Sequence, residues 1–113
     1  MSSRNRSRGP IARRLREARE RKGLSQRQLG ILAGLDPFVA SPRVNQYERG
    51  VHEPSYGTLQ LFAPLLDVPT SFFFIEDDEL AELVILYSNG TAAQRKKILR
   101  TVRLEVKAER KDW

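Results

Sequence analysis

A chain of 113 residues with 40% hydrophobic content can form one compact domain with a short extension. It contains no cysteine, which excludes disulfides and thiolate metal sites, and its single histidine, His52, leaves little material for a zinc site or a Ser-His-Asp triad. We therefore expect no enzyme activity, no catalytic residue, no metal and no cofactor.

The formal net charge of +6 is concentrated in the first half of the chain. Residues 1–60 contain twelve Arg and Lys against five Asp and Glu, whereas residues 61–113 contain eight against nine. Eleven of the twelve cations are arginine, which suits bidentate contacts with phosphates and bases better than lysine does. This distribution predicts a polyanionic partner. A basic surface without a partner is the alternative.

The sequence has no obvious targeting or membrane segment. No stretch approaches the roughly 18 consecutive apolar residues of a membrane span, and the N-terminal "MSSRNRSRGP" lacks the apolar core of a signal peptide. We expect a cytoplasmic protein that does not enter a membrane. Residues 1–9 lack apolar residues after Met1 and are expected to form a disordered basic arm.

Two helices are predicted after this arm. Pro10 starts the first, which ends at Gly23, and "SQRQ" at residues 25–28 is a capping box that opens the second, which ends at Gly34. Their buried sides are expected to hold Ile11, Leu15 and Ala18, and Leu29, Leu32 and Ala33. Gly30 lies inside the second helix, where glycine costs about 1 kcal/mol relative to alanine. We expect another helix to cross closely there.

The next segment, "LDPFVASP", allows two helix starts. Asp36-Pro37 is expected to form a single turn, and Ser41-Pro42 to cap and start a separate third helix from Pro42 to Arg49, ended by Gly50. Val44 and Tyr47 would turn this helix toward the core and leave its other face free.

Four further helices complete an all-α fold, since no strand or repeat is recognisable. Ser55 caps a fourth helix, which Pro64 should kink or end early, and "TSFFFI" after Pro69 forms a short fifth. The acidic "EDDE" opens a sixth helix, and the capping box "TAAQ" from Thr91 opens a seventh. The buried side of the fourth helix is expected to hold Leu59, Phe62, Ala63 and Leu66.

The motifs "GLSQRQL", "YERG" with "EPS" shortly after it, and "LLDVP" occur in an order and spacing that resembles the phage-repressor/Cro-type helix-turn-helix family, also called the Xre family. The resemblance implies a five-helix, lambda-repressor-like DNA-binding domain at residues 10–75, between the arm at 1–9 and a helical extension at 76–113. Members of this family bind operators as dimers and mostly repress transcription. The chain departs from the family at Pro64 and by about four additional residues between Gly34 and Gly50.

The resemblance also assigns roles to residues. Gln26 matches a phosphate contact at a helix end, and Arg43 and Gln46 match the outer face of the recognition helix, where Arg can bind guanine and Gln or Asn adenine. Arg19 and Glu48 match a structural ion pair beneath the DNA surface. The predicted DNA-contacting residues are Gln26, Arg27, Ser41, Arg43, Asn45, Gln46, Arg49 and His52. The arm residues Arg4, Arg6 and Arg8 either contact DNA or serve solubility alone.

The two C-terminal helices exceed what the DNA-binding domain needs. Their apolar stripes should be buried, either by folding on each other within one chain or by dimerisation, and both arrangements can coexist. The residues expected at a dimer interface are Leu80, Leu83, Val84, Leu99, Val102 and Val106.

The sequence thus predicts a sequence-specific DNA-binding transcription regulator, a repressor that binds a palindromic operator in double-stranded DNA as a homodimer. The alternative is a protein-interaction module, antitoxin-like or controlled by an anti-repressor, in which the helix-turn-helix is a scaffold for a regulatory protein partner. An enzyme is a distant third, because no phosphate-binding glycine loop accompanies the solitary histidine.

Overall fold

The computed structural model describes residues 9–106, and within that range it contains helices and no strand. The helices are α1 (Ile11–Lys22), α2 (Gln26–Leu32), α3 (Pro37–Glu48), α4 (Tyr56–Leu65), a 3₁₀ helix (Thr70–Phe74), α5 (Asp78–Ser88) and α6 (Ala92–Glu105). The predicted all-α fold is confirmed. The arm residues Arg4, Arg6 and Arg8 lie outside the described range. None of the helices between residues 9 and 106 is long and apolar enough to span a membrane.

Local capping explains where α2 begins. The Ser25 side chain accepts a hydrogen bond from the Gln28 N–H at 2.9 Å, and the Gln28 side chain accepts one from the Ser25 N–H at 2.8 Å, as the capping box predicts. Leu32 was expected on the buried side but is exposed. The buried side of α2 is centred on Leu29 and Gly30, where α3 crosses, and Leu32 lies to one side of it.

The predicted start of α3 at Pro42 is wrong, because the helix begins at Pro37 and continues without a break. The Asp36 side chain accepts a hydrogen bond from the Phe38 N–H at 2.8 Å and caps it. Pro42 removes one internal hydrogen bond, that of the Phe38 carbonyl. Both residues are exposed, so water can reach this carbonyl, and the helix tolerates the proline. The additional residues of the family comparison thus form one more helical turn.

The crossing of α2 and α3 is as close as the glycine predicts. A Cβ atom added at Gly30 would lie 2.6 Å from the Cβ and 2.9 Å from the Cα of Ala40, which is closer than real Cβ atoms approach their neighbours. Ala40 belongs to the additional turn of α3, so this turn contributes to the packing of the motif. Only a residue without a side chain fits at position 30.

The core lies between α1, α3, α4, the 3₁₀ helix and one side of α5. The largest buried apolar side chains come from α1, α2, α3, α4 with the residue after it, and the 3₁₀ helix. They are Leu15, Leu29, Val44, Leu59, Phe62, Leu66, Phe72 and Phe73. Tyr47 of α3 packs edge-on against Phe62 of α4, with ring centroids 6.1 Å apart. α4 continues one residue beyond Pro64 and ends at Leu65.

A charged residue, Arg14, is buried beside this core and only 1% exposed. Its guanidinium donates to the backbone oxygens of Ile75 at 2.7 Å and Glu76 at 2.9 Å, and to carboxylate oxygens of Asp78 and Glu17, each at 2.9 Å. Burial of a charge is tolerated only with such pairing. Arg14 therefore joins α1 to the start of α5.

The C-terminal helices pack unequally. On α5, Ala81 is buried and Val84 and Ile85 pack against the core, whereas no described residue of α6 is buried. The predicted capping box at Thr91 is present and opens α6. The apolar residues that remain exposed on these two helices are Leu80, Leu83, Leu86, Tyr87, Leu99, Val102 and Leu104, and Val106 just after α6.

Candidate nucleic-acid interface

α3 has a buried and an exposed face. The buried residues are Ala40, Val44 and Tyr47, spaced four and three residues apart. Two residues before each of them lie Phe38, Pro42 and Asn45, which we call the outer stripe. Two helical residues correspond to about 200° of rotation, so the outer stripe lies opposite the core. Phe38 and Pro42 are exposed and Asn45 is half-buried.

A hydrogen-bonded network holds Asn45 in place. The Gln26 Nε2 donates to the Asn45 Oδ1 at 3.2 Å and to the Glu48 Oε1 at 3.1 Å. Both hydrogens of the Gln26 amide are used within the protein, so a phosphate at this position would meet the Gln26 backbone N–H instead. The Asn45 Nδ2 has no acceptor among residues 9–106 and remains available for a base or a phosphate.

The family resemblance predicts a pair of Arg19 and Glu48. Arg19 donates to the two Glu48 carboxylate oxygens at 2.6 Å and 3.0 Å, and it also donates to the Leu24 carbonyl oxygen at 2.8 Å. The hydrogen bond with Glu48 raises the pKa of Arg19 above its ordinary value, against the opposing effect of burial. The Glu48 side chain is only 3% exposed. Its charge is neutralised inside the protein, so it does not oppose an approaching phosphate.

Between residues 9 and 60, most cations without an ion pair to a described carboxylate lie on α2, on α3 or directly after α3. In α1, five cations pair with carboxylates: Arg13, Arg14, Arg16, Arg19 and Lys22. Arg21 lies over the ring of Phe72. By contrast, Arg27, Arg43 and Arg49 are exposed and have no ion pair among residues 9–106. These three arginines are thus the cations available to a polyanion next to the outer stripe.

The loop after α3 is held against the end of the helix. Gly50 has a φ of 75°, a left-handed conformation that favours glycine, and the N–H groups of Val51 and His52 both donate to the Gln46 carbonyl oxygen, at 3.0 and 3.3 Å. His52 is exposed beside Arg49. This loop therefore has a defined position relative to α3.

The predicted DNA-contacting residues fall into two groups by exposure. Gln26, Ser41, Asn45 and Gln46 are half-buried. Arg27, Arg43, Arg49 and His52 are exposed. Helical geometry places Arg43 on the flank of α3, whereas Asn45 and Gln46 lie nearer the centre of the exposed side.

Sequence reasoning missed two residues. The sequence predicts Phe38 in a separate turn, but it lies on α3 at the end of the outer stripe. Arg14 is buried although the sequence predicts only apolar residues on the buried side of the first helix. It follows Ile11 by three residues and precedes Ala18 by four, a spacing that places it on the same buried stripe. Nowhere in the part of the chain that the structure describes do three His, Asp or Glu side chains group as metal ligands.

Two short helices that cross at a glycine, with the second presenting a polar and cationic exposed side, define a helix-turn-helix. The profile of the family described as "Helix-turn-helix domain" matches residues 10–71, more than half of the chain, and the chain belongs to this family. The Cro-type resemblance of the motifs agrees with this assignment.

A solved structure, "Crystal structure of transcriptional regulator BswR", is similar over most of both chains. It has a TM-score of 0.81 and 41% sequence identity, and the match covers 88% of this chain and 98% of that chain. No curated protein matches the chain.

Proposed function

We propose that this protein is a sequence-specific transcription regulator of the cytoplasm, a repressor that binds a palindromic operator in double-stranded DNA as a homodimer. The observation that carries the proposal is the exposed side of α3, where Asn45 and Gln46 lie between Arg43 and Arg49, which have no ion pair among residues 9–106. The family match and the likeness to a solved transcriptional regulator support the DNA-binding part. No chemical step is needed for this function.

Affinity is proposed to come from phosphate contacts. Arg27 follows Gln26, whose side chain contacts Asn45 of α3, and Arg49 follows α3 directly. Arginines at such positions release counterions from DNA, and the exposed His52 beside Arg49 can add a hydrogen bond to a phosphate. Contacts of this kind orient the protein and carry no sequence information. The basic arm, Arg4, Arg6 and Arg8, is proposed to add phosphate or minor-groove contacts.

Sequence choice is proposed to come from side chains of α3. The Asn45 Nδ2 and the Gln46 amide can pair with a base edge, and Arg43 can pair with guanine O6 and N7. Ser41 lies between Phe38 and Asn45 along the helix and can donate to or accept from a base. Glu48 has an architectural role, because its carboxylate already accepts hydrogen bonds from Arg19 and Gln26.

The dimer is proposed to form through α5 and α6. A two-fold symmetric dimer places its two recognition helices about 34 Å apart, one turn of DNA, which is the origin of palindromic operators. The candidate interface residues are Leu80, Leu83, Val84, Leu99, Val102 and Val106. Of these, only Val84 packs against the core within one chain, so the others remain for a second copy.

The test is selection of bound sites from random duplexes, followed by binding measurements on the selected site. We expect Arg43→Ala to weaken binding to that site by about 1–3 kcal/mol and to relax one base position. Arg100→Ala, which removes the same charge from the exposed surface of α6, is the matched control and should change binding little. Equal losses for Arg43→Ala on selected and random DNA would assign Arg43 to phosphate contact and refute base reading.

A second candidate function is a protein-interaction module, antitoxin-like or controlled by an anti-repressor. The exposed apolar side chains of α5 and α6 favour it, since a regulatory protein could cover them in place of a second copy. Gel filtration and pull-down from cell extract separate the two functions. A chain that selects no DNA sequence but retains a tightly bound protein would support this candidate against the first.

A further inference from the structure

Phe38 is the most exposed large apolar side chain among the described residues, at 92%. It packs on nothing in the core, so the fold does not explain a phenylalanine here. It lies on the second residue of α3, at the end of the outer stripe that continues through Pro42 to Asn45. The position of Phe38 on the exposed side of α3 indicates which kind of partner its ring contacts.

The additional turn of α3 extends the exposed side of the helix toward its N-terminus. A turn of 3.6 residues advances the helix by 5.4 Å and returns the side chains to nearly the same direction, so Phe38 points the same way as Pro42 and Asn45. In helix-turn-helix complexes the N-terminal residues of the recognition helix contact base edges in the major groove. Phe38 is thus placed where base edges are read.

The chemistry of this end of the outer stripe is apolar. Phe38 and Pro42 offer no hydrogen-bonding side-chain group, and the Asp36 carboxylate already accepts from the Phe38 N–H at 2.8 Å. The C5 methyl of thymine is the largest apolar group on a base edge in the major groove, and phenylalanine is among the residues that contact it. Methyl contact is therefore the form of base recognition open to Phe38, whereas Ser41 of the same turn can form a hydrogen bond.

We propose that Phe38 is a specificity-determining residue that packs its ring against a thymine C5 methyl, next to the bases read from Asn45 and Gln46. The inference rests on the proposed DNA-binding function and deepens it. It assigns an A·T pair, with the thymine methyl toward α3, to one position of each half-site. A protein partner on Phe38 is the competing occupant, and the test distinguishes it.

The experiment uses the full chain and the selected duplex, with each thymine replaced in turn by deoxyuridine, which removes only the methyl group. At one thymine of each half-site, wild type should lose about three- to fivefold in affinity, the effect of one buried methyl. Phe38→Ala should bind the thymine duplex as weakly as wild type binds the duplex with deoxyuridine at that position. Replacing this thymine by deoxyuridine should not lower the affinity of Phe38→Ala any further. Leu61→Ala, an exposed apolar residue of α4, is the matched control and should behave like wild type.

Phe38→Ala is expected to fold normally because the side chain is exposed, and far-ultraviolet circular dichroism checks this. The inference is overturned if each deoxyuridine substitution lowers the affinity of wild type and of Phe38→Ala by the same factor. It is also overturned if no deoxyuridine substitution lowers the affinity of either protein. Unchanged operator binding by Phe38→Ala with loss of a captured protein also overturns it, in favour of a protein partner. In these cases sequence-specific binding persists and the proposed function stands. If no sequence is selected at all, the proposed function fails and the inference fails with it.

Discussion

At Gly30, two opposing effects act on one position. Alanine is favoured over glycine inside a helix by about 1 kcal/mol, but its Cβ would lie 2.9 Å from the Cα of Ala40, a backbone atom that cannot rotate away. Overpacking of this kind costs about 1–3 kcal/mol, at times more, because the helices have to separate. We expect the cost of overpacking to exceed the gain in helix propensity.

We expect Gly30→Ala to lower the free energy of unfolding by about 2 kcal/mol, measured by urea denaturation. Because the crossing orients α3, operator affinity should fall as well. Gly57→Ala is the matched control, since its Cβ would lie 3.8 Å from the nearest atom, the Ser55 Oγ. That variant should be as stable as wild type or more stable by up to about 1 kcal/mol. Equal stability of the two variants would contradict the close crossing.

Arg19 and Glu48 are a residue pair that can support the proposed DNA-binding surface without contacting DNA. The pair lies beneath α3, and through Gln26 it holds Asn45 in its orientation. A side chain that is held before binding loses less conformational entropy when it contacts DNA. In the proposed complex, the polar residues beneath the outer stripe would thus support recognition by Asn45.

Among the helices, α1 and α5 are joined by charge as well as by apolar packing. Arg14 donates to Asp78, and Arg13 reaches the same carboxylate oxygen at 3.1 Å. The hydrogen bond from Arg14, followed by that from Arg13, lowers the pKa of Asp78 below its ordinary value. Since Asp78 is the first residue of α5, its contacts with Arg13 and Arg14 attach the C-terminal extension to the DNA-binding domain.

This lowered pKa sets the direction of a pH effect. A carboxylate whose folded-state pKa is lowered stabilises the protein fully above its unfolded-state pKa, about 4, and the stabilisation is lost as the pH falls through the folded-state value. We expect Asp78→Asn to be less stable than wild type at pH 6, and the difference to shrink as the pH falls below about 4. Urea denaturation across this range measures it.

Glu82→Gln is the control for this pH series. Glu82 is an exposed acid of the same helix with no ion pair among the described residues, so its substitution should leave the pH dependence unchanged. A constant difference between Asp78→Asn and wild type at all pH values would show that the carboxylate charge does not stabilise the contact with α1.

On the scale of the whole molecule, the two C-terminal helices carry apolar side chains that the core of the chain does not cover. Leu99 is 42% and Val102 41% exposed on one side of α6, and Leu80 and Leu83 are similarly exposed on α5. Exposed apolar patches of this kind mark interaction sites in soluble proteins. The second copy that we propose there would also supply the second recognition helix.

We expect wild type to sediment as a dimer and Leu99→Glu to sediment as a monomer, because a charge would be buried at the interface. The variant should lose affinity for the full palindrome but keep the half-site affinity of a wild-type subunit. Leu61→Glu, which makes the same change at an exposed position of α4, should remain dimeric. A wild-type monomer that binds the palindrome without associating, or a dimeric Leu99→Glu, would contradict this interface.

Much of the fold was determined by the sequence alone, because the deciding interactions are local. The two capping boxes at Ser25 and Thr91 and the left-handed glycines at 23, 34 and 50 involve residues a few positions apart, and all were predictable. The same holds for the buried stripe of α4. The pairing of Arg19 with Glu48 followed from family resemblance, since these residues are far apart in the chain.

The start of α3 was decided by the tertiary structure. Asp36-Pro37 and Ser41-Pro42 are both acceptable local helix starts, and the packing of Ala40 on Gly30, which local rules do not show, favours the earlier one. Arg14 lies on a stripe that local rules reserve for apolar residues, yet distant acceptors at Ile75 and Glu76 make its burial favourable. Contacts between residues far apart in the chain depend on the finished packing. The presence of the helices could therefore be predicted from local sequence, whereas the length of α3 and the contacts between helices could not.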